Sequence, residues 1–348
     1  MPKYDAAYTF GVMARRATHP PIRSVGFLLI PDFALISYAS VVEPLRAANQ
    51  LAGETLYSWW HAAPGDVPSV ASSGITVAPN FPVGGEADDL DLVLVCAGGN
   101  PTHFRDRATL AWLRRLARRG VAIGGVSGGP FVMARAGLLE GRRCTVHWDY
   151  MPAFQESFPD VELTRSLFVI DGDRITCSGG VAGLDMMTAL ITRDHGHGLA
   201  AAVSDWFLHT HVREGEGPQR MDLRFRLGVG DEKLLAALKA MEANLEAPLS
   251  RGELAAAAGL SLRQLERAFR AQLGHGIHAH YLSLRLGRSR QLLRETSLSI
   301  MEITLACGFA SASQFARAFR AAYGEAPRQA VKRERQRKIS QAPDPALR

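Results

Sequence analysis

The segment ELAAAAGLSLRQLERAFRAQLG (253–274) returns as EITLACGFASASQFARAFRAAYG (302–324), offset by 49 residues up to Gly259 and Gly308 and by 50 beyond them. Each copy has the pattern of a short helix, a turn containing glycine, and a second helix, which is the helix-turn-helix arrangement. A paired motif of this kind commits the last hundred residues to an all-α unit. The helical pattern begins at about Asp231.

Helical geometry places the side chains of the second helices, at about 100° per residue. In the first copy Leu262, Leu265, Phe269 and Leu273 share one face, and Arg263, Arg267 and Arg270 share the face beside it. In the second copy Phe315, Phe319 and Tyr323 take the apolar positions, and Ser313, Arg317 and Arg320 take the polar ones. Arginine pairs with guanine edges in the major groove or holds phosphates. Gln264 and Gln314, beside the stripes, have the amide geometry suited to adenine. A solvated charged face explains one such helix. It does not explain two in register.

Charge separates the same region from the rest. From Leu249 to Arg348 there are 17 Lys/Arg and 7 Asp/Glu, a balance of +10. That leaves −4 on the first 248 residues of a chain whose net charge is +6. A mildly acidic body on a basic end suggests a module that meets a polyanion. This region resembles the AraC/XylS family of transcription regulators. The second copy carries the most specific match: Ile303 and Ala306 before Gly308-Phe309, then Ser313-Gln314-Phe315, Arg317, Phe319-Arg320, Gly324 and Pro327. The resemblance implies two helix-turn-helix units joined by a long helix at about 277–294, with both recognition helices in successive major grooves.

Residues 22 to about 205 alternate strand-like and helix-like runs. IRSVGFLLI (22–30), LDLVLVCAGG (90–99) and VAIGGV (121–126) read as buried strands; SYASVVEPLRAANQLAG (37–53) and RATLAWLRRLARRG (107–120) read as helices. Such alternation predicts a flavodoxin-like parallel sheet with helices on both faces, binding ligands at the carboxyl ends of its strands. The expected organisation is a mobile extension (1–20), this α/β domain (21–210), a Gly-rich linker (211–231), the helical domain (232–335) and a basic tail (336–348). No apolar run reaches the roughly 18 residues needed to cross a membrane, and no secretory signal is recognisable. The scattered Cys96, Cys144, Cys177 and Cys307 have no zinc spacing. A cytoplasmic protein with reduced thiols and neither metal nor cofactor is expected.

Gly125-Val126-Ser127-Gly128-Gly129 matches the G-x-S-x-G elbow that exposes a nucleophile after a strand. The α/β domain resembles the ThiJ/PfpI branch of the class I glutamine amidotransferase-like fold, whose enzymes carry Cys at the position of Ser127. The whole layout is similar to amidotransferase-like AraC regulators. That resemblance implies a sensor for a small nitrogen compound such as glycine betaine, carnitine or arginine, acting as an activator. Asp185 followed by His195, His197 or His209 satisfies the chain order of a hydrolase. Against that stand the replaced thiol, Gly128 where many such enzymes have His, and no downstream His-Glu pair of the amidotransferase kind. The expected site is therefore non-catalytic. Ser127, Gly128, Gly99 and Asn100 would receive a carboxylate, Glu43 would meet its cationic end, and His147 and Trp148, with Phe33 or Phe104, would line it. The expected partners are promoter DNA, a quaternary ammonium or amino-acid-like effector, a second copy of the chain and RNA polymerase. Two alternatives remain open on sequence: a hydrolase or deglycase with a DNA-binding appendage, and a constitutive DNA-binding protein whose front domain only dimerises.

Overall fold

The computed structural model describes residues 21–86, 88–296 and 298–340, of which 334–340 by backbone alone. The expected N-terminal extension, and the basic tail beyond residue 340, lie outside the described residues.

The α/β unit runs β1 (Ser24–Leu29), α1 (Leu35–Ala52), β2 (Ser58–Ala62), a small hairpin β3 (Ser69–Val70) and β4 (Thr76–Val77), β5 (Leu92–Ala97), α2 (Arg107–Arg118), β6 (Ala122–Ser127) and α3 (Gly129–Arg135). It continues with β7 (Arg143–Cys144), α4 (Met151–Ser157), β8 (Glu162–Leu163), β9 (Phe168–Asp171), β10 (Arg174–Cys177), α5 (Ala182–His195) and α6 (His197–Trp206). The main sheet has the order β2-β1-β5-β6-β10-β9. All its pairs are parallel except β10 with β9 at the edge. The order is flavodoxin-like, and the parallel sheet is the one the strand and helix alternation predicts. The register pairs Leu29 with Cys96 and Ala97 with Ser127. The loops after β1, β5, β6 and β10 therefore emerge along one edge, where the strand order reverses.

The central strands β1 and β5 are almost wholly buried and apolar because helices cover both faces. One core holds Phe27, Phe33, Val41, Leu45 and Met186 under α1 and α5. The other holds Val95, Trp112, Leu113, Phe131 and Phe154 under α2, α3 and α4. In α2, Asp106 caps the first turn by accepting from Thr109 N, and Leu110, Leu113 and Leu116 face inward. The four cysteines are buried, and burial raises each thiol, Cys144, Cys177 and Cys307 to about 12.

The helical unit contains α7 (Leu223–Leu227), α8 (Glu232–Ala243), α9 (Arg251–Ala257), α10 (Leu262–Leu273), α11 (Ile277–Glu295), α12 (Ile300–Ala306), α13 (Ala312–Tyr323) and α14 (Pro327–Ser340). The stretch expected as an irregular linker holds α7, capped by Asp222, and its Leu223 and Val229 are buried with Leu234 and Leu238. Two separate cores follow. Leu254, Leu265, Phe269, Ile277 and Tyr281 belong to the first; Leu286, Leu292, Ile303, Phe315 and Phe319 belong to the second. The nineteen-residue α11 serves both. Among the described residues no helix is long and apolar enough to cross a membrane, and no three His, Cys, Asp or Glu side chains cluster as metal ligands.

Candidate functional site

The repeat forms two superimposable patterns of exposure. Leu265 and Phe269 are buried on α10, and Phe315 and Phe319 on α13. Arg263, Arg267 and Arg270, and Ser313, Arg317 and Arg320, are all exposed. The turns bend at Gly259 (φ 60°) and Gly308 (φ 69°). At Gly308 a Cβ would come within 2.6 Å of the Leu245 carbonyl oxygen, so the second turn needs glycine for space as well as for φ. Gln264 and Gln314 do local work. The Gln264 carbonyl accepts from Ser261 N at 2.9 Å, closing a capping box, and the Gln314 carbonyl accepts from Ala310 N at 3.1 Å. Reading adenine with both amide atoms would first require those bonds to break.

At the sheet edge, Ser127 ends β6 with φ 60°, a left-handed conformation that costs a non-glycine residue about 1–3 kcal/mol. Neighbouring bonds enforce it. Gly128 N donates to Ala97 O at 2.9 Å, and His147 N donates to Ser127 O at 3.2 Å. Gly129 must be glycine, since its Cβ would lie 2.0 Å from Val95 O. Around the elbow stand Asp32 (φ 66°) beside Gly99, Tyr150 OH donating to Gly99 O at 3.2 Å, and Ser37 Oγ accepting from Gly180 N at 2.7 Å. Burial, with Glu295 and Asp149 nearby, pushes the Tyr150 hydroxyl up, which keeps it a donor. Burial holds His147 below its ordinary value despite Asp149, so the ring is neutral near pH 7.

Of the residues expected to form this site, Ser127, Gly128, Gly99 and His147 come together. The Asn100 backbone belongs to the same loop, but its side-chain amide donates to Arg294 O at 2.6 Å. Trp148 turns outward, and the Arg220 guanidinium sits 4.4 Å from its ring centroid, over the face expected to receive an effector cation. Phe33 is core, fully buried, and Phe104 packs partly buried against the α2 side. Glu43 pairs with Arg46 at 2.7 Å. Its six-residue distance from Ser37 on α1 is about 9 Å along the helix and about 120° away in azimuth, so Ser37 faces the elbow and Glu43 does not.

Asp185 and His209 do meet, at 2.9 Å. However, the Asp185 carboxylate also accepts from Arg213 N, Nε and Nη2, which staples the chain after α6 to α5. Among the described residues no hydrogen bond joins a histidine or carboxylate to Ser127 Oγ.

Sequence reasoning missed the contacts between the two units. Asp149 accepts from Arg294 Nη2 at 2.8 Å and from Gln291 Nε2 at 3.1 Å. Glu295, at the end of α11, is fully buried beside Tyr150 and bonded to Arg294. These partners lie about 145 residues apart in the chain, and no local pattern announces them.

A doubly wound α/β domain fused to two helix-turn-helix units with exposed arginine-bearing second helices defines a DNA-binding transcription regulator with an α/β regulatory domain. Residues 254–333 match the helix-turn-helix domain family, and residues 23–193 match the DJ-1/PfpI family. The chain is 45% identical over 316 residues to the HTH-type transcriptional regulator GlxA of Rhizobium meliloti, covering 90% of this chain and 97% of that protein. It is 44% identical over 307 residues to the HTH-type transcriptional regulator GbdR of Pseudomonas aeruginosa, covering 88% and 83%. To the regulator ArgR of Pseudomonas aeruginosa it is 40% identical over 305 residues, covering 88% and 92%. The chain belongs to this family of HTH-type transcriptional regulators, in which a DJ-1/PfpI domain precedes an AraC-type helix-turn-helix domain.

Proposed function

We propose that this regulator binds a small zwitterionic nitrogen compound, of the betaine, carnitine or amino-acid kind, at the Ser127 elbow and responds by changing its hold on promoter DNA. Residues 21–210 form the sensing unit and 232–335 the DNA-binding unit, which acts as a dimer on repeated half-sites. The Ser127 hydroxyl and the Gly99 backbone meet the carboxylate end of the ligand. Asp32, beside Gly99, takes the cationic end in place of Glu43.

The observation that supports this reading is the bond chain from elbow to α11. Asn100, in the loop after β5 beside the elbow, holds the Arg294 carbonyl, and Asp149, two residues beyond His147, holds Arg294 and Gln291. A ligand that favours one position of these loops shifts α11 by its differential affinity and by no more.

The test uses the full chain with glycine betaine, carnitine and arginine. At least one should raise the melting temperature of the parent and change its promoter affinity by about 5–150-fold, the usual range of allosteric coupling. In the Asn100→Ala/Asp149→Ala double variant the melting shift should remain and the DNA response should vanish. If none of the three stabilises the parent, the reading fails. If the double variant still responds on DNA, the route through α11 fails.

A further inference from the structure

A cavity of about 870 Å³ opens between the α/β unit and the helical unit, beside the elbow and distinct from it. Its apolar lining comes from Met151, Leu163, Leu223, Leu245 and Leu284. The rest is strongly basic. Seven cationic residues line the cavity: Arg165 from the α/β unit, Arg220 and Arg226 from the connection, and Lys239, Arg288, Arg290 and Arg294 from the helical unit. Only three carboxylates oppose them, Asp149, Asp222 and Glu242.

Those carboxylates are already engaged. Asp149 is held by Arg294, Glu242 by Arg226, and Asp222 caps α7. Arg165, Arg220, Lys239, Arg288 and Arg290 make no salt bridge among the described residues, with Arg220 resting on Trp148 and Arg290 on Tyr323. Two guanidinium N–H groups are buried here without an acceptor among the described residues, Arg226 Nε and Arg288 Nε. Leaving a buried charged donor without an acceptor is unfavourable. Burial, together with Arg226 and Arg165 alongside, lowers Arg220 from its ordinary value. The cavity is therefore short of negative charge.

We infer that this interdomain cavity is a second ligand site, built for a small organic anion with a carboxylate or phosphate head on an apolar body. The head meets the basic side chains that line the cavity, Arg226 and Arg288 among them. The body lies against Met151, Leu245 and Leu284. A DNA phosphate would be a poorer fit, since it has no apolar body to place against the apolar lining. An anion here also competes with Asp149 for Arg294, so it loosens the contact that joins the two units. The inference does not depend on any ligand at Ser127.

Isothermal titration of the full chain with octanoate, citrate and inorganic phosphate tests it. At least one should bind saturably, one per chain, with a Kd below about 1 mM. Arg226→Gln and Arg288→Gln should each weaken it by about tenfold or more, as expected for losing a charged hydrogen bond. Arg220→Gln, at an exposed position, should weaken it too and guards against misfolding of the buried variants. Octanoate binding more tightly than phosphate supports the apolar body; phosphate binding equally well overturns it. Absence of binding by all three, or equal binding by the parent and the three variants, overturns the inference.

Discussion

Phe319→Ala separates the two helix-turn-helix units energetically. The Phe319 ring is 1% exposed, and lies 5.6 Å from Phe315 in edge contact and 4.6 Å from Tyr323. Truncating such a ring costs about 3–5 kcal/mol, through lost transfer energy and the cavity left behind. The second unit, from the middle of α11 to α14, has about 45 residues, and at about 0.05–0.15 kcal/mol per residue its own stability is about 2–7 kcal/mol. The substitution therefore removes most of what holds that unit. The first unit is spared because its core is separate, joined to the second through α11 and the contact of the Gly308 turn with Leu245 and Pro248. Hydrogen exchange read by mass spectrometry should show α12 and α13 losing protection while α8 to α10 keep theirs. Promoter affinity should fall by about tenfold or more, as expected when one reading helix of two is lost. Equal loss of protection in α8 to α10 would mean one cooperative core and refute the reasoning; unchanged protection throughout would mean that the Phe319 cluster is not what holds the unit.

Arg317→Ala, on the exposed stripe of α13, should weaken specific binding by ~1–3 kcal/mol if the side chain reads a base. Titration on promoter and random fragments decides it, since equal loss on both would restrict Arg317 to phosphate contact. Stability should also depend on pH through His280, which is 7% exposed, stacked on His275 and below Phe269. Burial and His275 hold His280 below its ordinary value of 6.5, with Glu242 opposing. The unfolded chain then takes up a proton that the folded one refuses, so stability is full above about 6.5 and falls as pH drops towards the lowered value. Melting temperatures between about pH 7 and pH 5 should show this decline, and His280→Gln should flatten it. An unchanged slope in the variant would assign the decline to other groups.

Periodicity and turn chemistry made the architecture readable in advance. The repeat placed Phe269 and Phe319 inside and Arg267 and Arg317 outside, because a helix's face assignment follows from spacing alone. The elbow at Ser127 was readable because its glycines are forced by close backbone contacts, which leave a mark in sequence. Side-chain destinations were not. Glu43 pairs with Arg46 one turn along its own helix, and Gln264 spends its carbonyl on a capping box that its spacing from Ser261 could have signalled. Helix α7 was hidden in a short polar stretch whose only cues were Asp222 and Gly228. Arg294 meeting Asp149 is a tertiary choice between distant segments, which no local rule specifies.

Because α11 enters both helical cores, it is a stiff ruler of about 28 Å, near the 34–36 Å of one turn of duplex. A ruler cannot stretch. An operator for this protein should therefore tolerate altered letters between its two contacted stretches far better than one inserted or deleted base pair. The α/β unit grips the ruler at its far end, through Gln291 and Arg294, next to the second reading head.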